Sequence, residues 1–256
     1  MKIHDTAIIS KKAKVADDVE VGPYSIIDGN VTIGNGTKIQ SHCVITGWTV
    51  IGKNNRFYTG AVIGSVPQDL KYKNEKTFVV IGNDNIFREY VTVNPATKEG
   101  ARTIIGDNNV IMAYAHIAHD CTVRNRVIMA NSGTLAGHVV LEDGTVIGGL
   151  TAVHQFVRVG ALSIVGGCSK VVQDVPPFCT ADGHPTRVFG LNKVGLERAG
   201  VSEAIQRDLK KAFKILFKSG LAMTHATEIV KKDIPPSKEL SHLVDFIASS
   251  ERGICR

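Results

Sequence analysis

The sequence predicts a parallel β-helix, a prism wound from six-residue units, followed by a small α-helical C-terminal domain. Every sixth residue from Ile9 to Val171 is aliphatic, Phe or Met, with only Asp69, Glu75 and Glu99 breaking the frame. Neither a helix nor a plain strand has that period, whereas stacked strand-and-turn hexads do. Gly follows the apolar residue at Gly22, Gly34, Gly52, Gly82, Gly106 and Gly148, where a corner calls for tight backbone geometry. Small residues recur four places after it, as at Ser25, Thr37, Cys43, Ala61, Cys121 and Thr145. A triangular interior has room for one large side chain per strand and a small one beside it.

The elements follow in order. Coils begin by Ile9 and run to Ile63. The polar stretch 65–80, SVPQDLKYKNEKTFVV, leaves the prism as a loop, and 94–103, NPATKEGART, is a second one. Coils then continue to Val171, and Pro176 and Pro177 mark the exit. The prism is assigned to 1–190 and the helical domain to 191–256. Within the latter, Ser202 is an N-cap, Ile205, Leu209, Phe213 and Leu216 form one apolar stripe, and Gly220 closes the helix. A second amphipathic stretch spans about 237–250.

Composition narrows the function classes. The chain of 256 residues carries a formal charge of +6, with Lys210, Lys211, Lys214 and Lys218 on one predicted helix, either a solvated face or a docking face for an acidic partner. No RNA-binding aromatic signature or zinc-finger spacing accompanies it, so no nucleic-acid partner is expected. The start lacks a charged-then-apolar leader and no long apolar run occurs, so a cytoplasmic protein without a transmembrane segment is expected. The five cysteines show no paired or metal spacing and read as reduced and structural.

The histidines gather. If three hexads make a coil, the hexads beginning at Ile117, Leu135 and Val153 stack, and they carry His119, His138 and His154. Strand spacing of about 4.8 Å would keep these within roughly 10 Å along one edge, with His116 at the adjoining corner. Such a cluster suits either imidazole-bound metal, as in a prism-type carbonic anhydrase, or general-base catalysis by one histidine. The context AHIAHDC favours the second: Asp120 would fix the tautomer of His119, and Gly137 would offer an unencumbered N–H to an oxyanion.

The segments AVIGSVPQDLKY, MAYAHIAHDCTV, LAGHV, TAVHQF, VGGCS, QDVPPF and FGLNKVGLERAG together resemble the cytoplasmic UDP-N-acetylglucosamine O-acyltransferases, which begin lipid A biosynthesis. The resemblance spans nearly the whole chain. It implies an all-β left-handed parallel β-helix, against the usual right-handed crossover rule. It also implies a homotrimer, with sites between neighbouring prisms, that transfers a 3-hydroxyacyl group from acyl carrier protein to the glucosamine 3-hydroxyl of UDP-N-acetylglucosamine. By motif, His119 is the base, Asp120 its orienting partner and Gly137 the oxyanion donor. Gln68, Asp69 and Lys71 would hold the sugar, while His116, His138, His154 and Gln155 line the same cleft. Asn192 and Arg198 would meet the nucleotide, and Gly167 would leave an acyl channel open for chains longer than ten carbons.

A thioester already carries the activation, so no metal or cofactor is expected. Departures from the family pattern fall at Val194, at Ala199 after Arg198, and at NPAT from Asn94. They leave room for a 3-amino sugar acceptor. The competing readings are a sister N-acyltransferase of the same pathway, a zinc carbonic anhydrase-like prism and a non-catalytic trimeric scaffold.

Overall fold

In the computed structural model, which describes residues 2–256, the apolar frame forms a three-sided, left-handed prism. Most hexads contribute a two-residue strand and a four-residue turn, so three of them complete a coil. The faces are sheets of eleven, nine and eight strands, parallel throughout except for a closing hairpin. Ile117 pairs with Leu135, and Leu135 with Val153, as three-hexad stacking requires. Ile63, however, pairs with Val93, and Val93 with Ile117. The extra lengths are two hexads and one hexad. Asp69, Glu75 and Glu99, the only misfits in the frame, are therefore the hexads that left the prism.

The frame residues fill the interior. Phe57, Phe87, Ile63, Ile111, Ile117 and Met129 are fully buried, and Phe57 stacks on Phe87 at 4.8 Å. Each such side chain stabilises the fold by about 1.5–3 kcal/mol, so truncating one, as in Ile117→Ala, would cost about 2–5 kcal/mol. Beside them the small-residue slot is also closed to water at Ser25, Thr37, Cys43, Ala61 and Cys121. In part of one edge this slot holds Asn instead. Asn55, Asn85 and Asn109 stack, with Oδ1 of Asn55 accepting from the Asn85 backbone N–H at 3.0 Å and Oδ1 of Asn85 from that of Asn109 at 2.9 Å.

The corner glycines have a different cause from the one expected. A Cβ at Gly22, Gly34, Gly52 or Gly82 would meet the backbone of the next coil at 2.5–2.8 Å, so close stacking excludes any side chain there. The left-handed backbone lies two residues later and is mostly filled by other residues, among them Asn54, Tyr114, Asp120, His138 and Phe156. Their N–H groups donate to the coil before, as His138 does to the His119 carbonyl at 3.0 Å. That hydrogen bond offsets the roughly 1–2 kcal/mol cost of the conformation.

Past Val171 the chain makes the antiparallel hairpin Cys179–Gly183 and Thr186–Leu191, and then four helices. These are α1 (Lys193–Arg198), α2 (Glu203–Lys218), α3 (Met223–Asp233) and α4 (Lys238–Ala248). Ser202 caps α2 by accepting from the Ile205 N–H, Ser219 and Gly220 close it, and Leu209, Phe213 and Leu216 are buried as the stripe predicts. Ser237 caps α4 in the same way. The helices pack on one another around Leu196, Leu209, Leu216, Val230 and Leu243. They are clamped to the prism by charge. Buried Glu142 accepts from His242 at 2.7 Å, and Arg158 reaches the Phe246 carbonyl at 2.9 Å while also bonding buried Asp174.

All five cysteines are free thiols, Cys168 exposed and the rest buried. Burial pushes the Cys43 thiol up to about 11 and that of Cys121 to about 12, which keeps both protonated and inert. Among the described residues no helix is long and apolar enough to cross a membrane.

Candidate active site

One corner of the prism is built from the turns after Ile117, Leu135 and Val153. Because the coils stack in register, Asp120, His138 and Phe156 form one column in left-handed conformation, and His119, Gly137 and Gln155 form the column beside it. The three histidines expected on this edge do lie in stacked hexads, but each takes a different turn position. Their roles in the geometry differ accordingly.

His119 Nδ1 lies 2.9 Å from Asp120 Oδ2. Burial favours the neutral form of Asp120, but the hydrogen bonds from His119 and Thr97 outweigh it and hold the carboxyl below the usual range. An ionised carboxylate only accepts, so the proton sits on Nδ1 and the Nε2 lone pair is left open. The imidazole is pressed onto Gly137. A Cβ there would fall 2.6 Å from Nε2 and closer still to Cε1. Only glycine lets the ring lie where it does. Among the described residues the Gly137 N–H has no acceptor, so an unpaired donor lies beside the ring.

His138 Nε2 is 3.7 Å from Asp120 Oδ2, and its ring meets His119 edge-on at 5.3 Å and stacks flat on Phe156 at 4.5 Å. Desolvation holds His138 below the ordinary imidazole value against the pull of Asp120, so the ring is neutral at pH 7. His116 sits one face over, bonded through Nδ1 to Thr92 Oγ1 at 2.7 Å, and burial with the nearby His119 also lowers it.

Both loops converge here. Asn94 Nδ2 ties the start of the second loop to the Ser65 carbonyl at 3.0 Å, and Glu99 accepts from the Lys76 N–H at 2.8 Å. Thr97 Oγ1 donates to Asp120 Oδ2 at 2.7 Å. The charges of Asp69 and Lys98, one from each loop, both act on His138. Asp69 Oδ1 accepts from the Lys71 N–H at 2.9 Å, folding QDLKY into a local turn, while Gln68 and Lys71 point to solvent.

The remaining expected residues lie further out. His154 turns to the C-terminal tail, its Nδ1 3.2 Å from Arg252, and Gln155 beside it is exposed. Gly167 is exposed, with the Gly149 carbonyl 3.2 Å from where its Cβ would be. Asn192 has its amide engaged at both ends, donating to the Leu162 carbonyl at 2.8 Å and capping α1 by accepting from the Gly195 N–H. Within this chain it is a structural cap. Arg198 is exposed at the end of α1. Lys210, Lys214 and Lys218 rim a cavity of about 510 Å³ with Lys193 and Arg207, over a floor of Leu191, Leu196 and Phe213. Lys211 departs from that group, turning away to bond Asp208 at 3.0 Å.

Sequence reading missed Thr97, Phe156 and Arg252. Thr97 lies in the segment NPAT, whose contact with Asp120 spans a loop of unspecified path. Phe156 could have been found, since it sits three hexads after His138 at the same turn position.

Comparison with known proteins adds independent findings. The family described as "Udp N-acetylglucosamine O-acyltransferase; Domain 2" matches residues 174–255, and bacterial transferase hexapeptide repeats match 102–137. An acyl-[acyl-carrier-protein]–UDP-N-acetylglucosamine O-acyltransferase of Thermodesulfovibrio yellowstonii is 53% identical over 100% of this chain and 99% of its own. One of the same name from Syntrophobacter fumaroxidans is 45% identical over the full length of both. The solved structure of LpxA from Acinetobacter baumannii superposes with a TM-score of 0.95 at 44% identity, covering 99% of each chain.

Proposed function

The chain belongs to the UDP-N-acetylglucosamine O-acyltransferase family, and from that premise we propose that it moves a 3-hydroxyacyl group from acyl carrier protein to the glucosamine 3-hydroxyl of UDP-N-acetylglucosamine, the first step of lipid A biosynthesis. The observation that carries this reading is the His119–Asp120 pair lying over Gly137, a base and an oxyanion donor side by side.

His119 Nε2 takes the proton of the sugar hydroxyl as its oxygen attacks the thioester carbonyl. Asp120 keeps the imidazole in the required tautomer and stabilises the imidazolium. The Gly137 N–H meets the developing oxyanion. Collapse of the tetrahedral intermediate expels the pantetheine thiolate, which recovers the proton from Nε2. Every proton is accounted for by one imidazole.

Around this centre Gln68, Asp69 and Lys71 bind the sugar, and His116, His138, His154 and Gln155 line the acceptor and acyl side. Asn192 orders α1 so that Arg198 faces the diphosphate of a neighbouring subunit's nucleotide. The acyl chain runs past Gly167. The homotrimer is supported by a corner bearing exposed Tyr24, Tyr90, Tyr114 and Leu150, at 50–67% accessibility, a ridge of apolar surface suited to burial against neighbouring copies. Lys210, Lys214 and Lys218 attract the acidic carrier protein, and the reaction takes place in the cytoplasm.

The direct test is mass spectrometry of products from UDP-N-acetylglucosamine and a mixture of 3-hydroxyacyl carrier-protein thioesters. An ester of more than ten carbons on the sugar is expected. No transfer would sink the reading, and transfer only to a 3-amino sugar would make the product an amide. Reversing Lys210, Lys214 and Lys218 to Glu should raise the apparent KM for the carrier alone and weaken its salt dependence.

A further inference from the structure

We propose that His119, Asp120 and His138 also form a binding site for a divalent transition metal, zinc foremost, whose occupancy switches the base off. One ligand atom from each residue lies within 4.8 Å of the others. His119 Nδ1 and Asp120 Oδ2 are 2.9 Å apart, and His138 Nε2 and Asp120 Oδ2 are 3.7 Å apart. Tetrahedral zinc with bonds of about 2.0–2.2 Å places its donors about 3.3 Å from one another. Those two separations straddle that value, and the two imidazole nitrogens lie within 4.8 Å of each other, so rotation of the rings toward one another completes the half-shell.

Two imidazoles and one carboxylate suit zinc or cobalt and not magnesium or calcium, which take oxygen ligands. The carboxylate keeps enough lone pairs to go on accepting from Thr97. All three groups are partly open to solvent, so an ion can enter and a fourth position stays free for water.

The consequence follows from the tautomer. In the metal-free site the proton is on Nδ1 and the lone pair on Nε2. A metal takes the Nδ1 lone pair, and the displaced proton goes to Nε2 through solvent with no net release. An N–H then stands where the acceptor hydroxyl needs a base. Zinc binding and catalysis by His119 are mutually exclusive on these grounds. The inhibitory half of the proposal rests on His119 being the base, whereas the binding half does not.

The two halves are read separately. Full-length protein, stripped with EDTA, is titrated with Zn²⁺ by calorimetry and with Co²⁺ by visible absorption. One ion per chain is expected, with ligand-field bands of tetrahedral cobalt. His138→Gln and Asp120→Asn should each weaken binding at least tenfold with unchanged melting, while His154→Gln binds as the parent does. Absence of stoichiometric binding, or parental affinity in His138→Gln, overturns the site. Turnover of the parent should fall in proportion to zinc occupancy and return on chelation. Full turnover with the site occupied overturns the switch, and a chain with no acyl transfer at all would still report the metal.

Discussion

Two corners of the prism share one backbone and differ only in what their turns carry. In the corner formed after Ile81, Ile105, Val123 and Leu141, the second turn residues are Asn83, Asp107, Asn125 and Asp143, and the N–H of each of the first three is capped from the coil beyond. Asn83 donates to Asp107 Oδ1 at 2.6 Å, Asp107 to Asn125 Oδ1 at 2.8 Å, and Asn125 to Asp143 Oδ1 at 2.8 Å. In the histidine corner the same positions hold His119, Gly137 and Gln155, and the ladder is missing. The Gly137 N–H thus corresponds to the Asn125 N–H, which already holds a carboxylate oxygen. A site arises here by leaving undone a hydrogen bond that the fold makes elsewhere.

That comparison can be broken experimentally. The largest effect belongs to His119→Ala, which should cut turnover by about 10²–10⁴ with the melting temperature unchanged, while the same change at His4 or His225 does little. Near-normal turnover would remove His119 from the chemistry. Gly137→Ala comes next. Its Cβ must push the His119 ring aside, and a displacement of about 1 Å should cost about 10² in kcat with folding retained. Of similar size is Gly167→Met, which should move acyl preference to shorter thioesters by two decades or more, since four excluded methylenes are worth about 3 kcal/mol. Identical ranking of a ladder of acyl lengths in parent and variant would refute the channel.

Thr97→Val sharpens the contrast, because it takes one donor from Asp120 without touching substrate. Turnover should drop about tenfold, KM should hold, and Thr97→Ser should restore the loss. In the ladder corner Asp143→Ala should do the opposite, lowering stability by about 1 kcal/mol in a thermal melt and sparing turnover. A kinetic defect there would show that the two corners are not independent.

Acid should loosen the clamp between prism and helices. Burial alone would raise Glu142, but the hydrogen bond and charge of His242 hold it below its ordinary value. A depressed folded value means the pair stabilises above the unfolded pKa of about 4.3, and that this is lost as pH falls through the folded one. The melting gap between parent and Glu142→Gln should therefore be full at pH 7 and shrink in acid.

The sequence was most legible where a residue's role repeats. The hexad frame set the register, and its three misfits marked both loops. α2 and α4 were readable because Ser202 and Ser237 are true caps ahead of apolar stripes. α3 was not, since Ala222 stands at its N-cap with no side-chain hydrogen bond to announce it. The hairpin from Cys179 to Leu191 follows two prolines and alternates too little to be told from a loop. At the site, adjacency along the chain gave His119 with Asp120, and stacking arithmetic gave Gly137 and His138. Thr97 and the contact of His154 with Arg252 depend on where a loop and a tail return, which no local pattern encodes. The glycine pattern was visible, but its cause, collision with the next coil, needed the coordinates.

The loops also bear on how the chain folds. A regular coil closes over three hexads, whereas the coils that expel loops must close over as many as five, which adds roughly 0.5 kcal/mol of closure entropy. Where that penalty falls, the strands Trp48–Ile51, Phe78–Ile81 and Arg102–Ile105 are twice the usual length and pair along four residues. The longer pairing offsets the harder closure at the point where a one-dimensional array would otherwise lose its cooperativity. Coils on either side of the insertions can then order as a single unit, and the histidine corner inherits its rigidity from both.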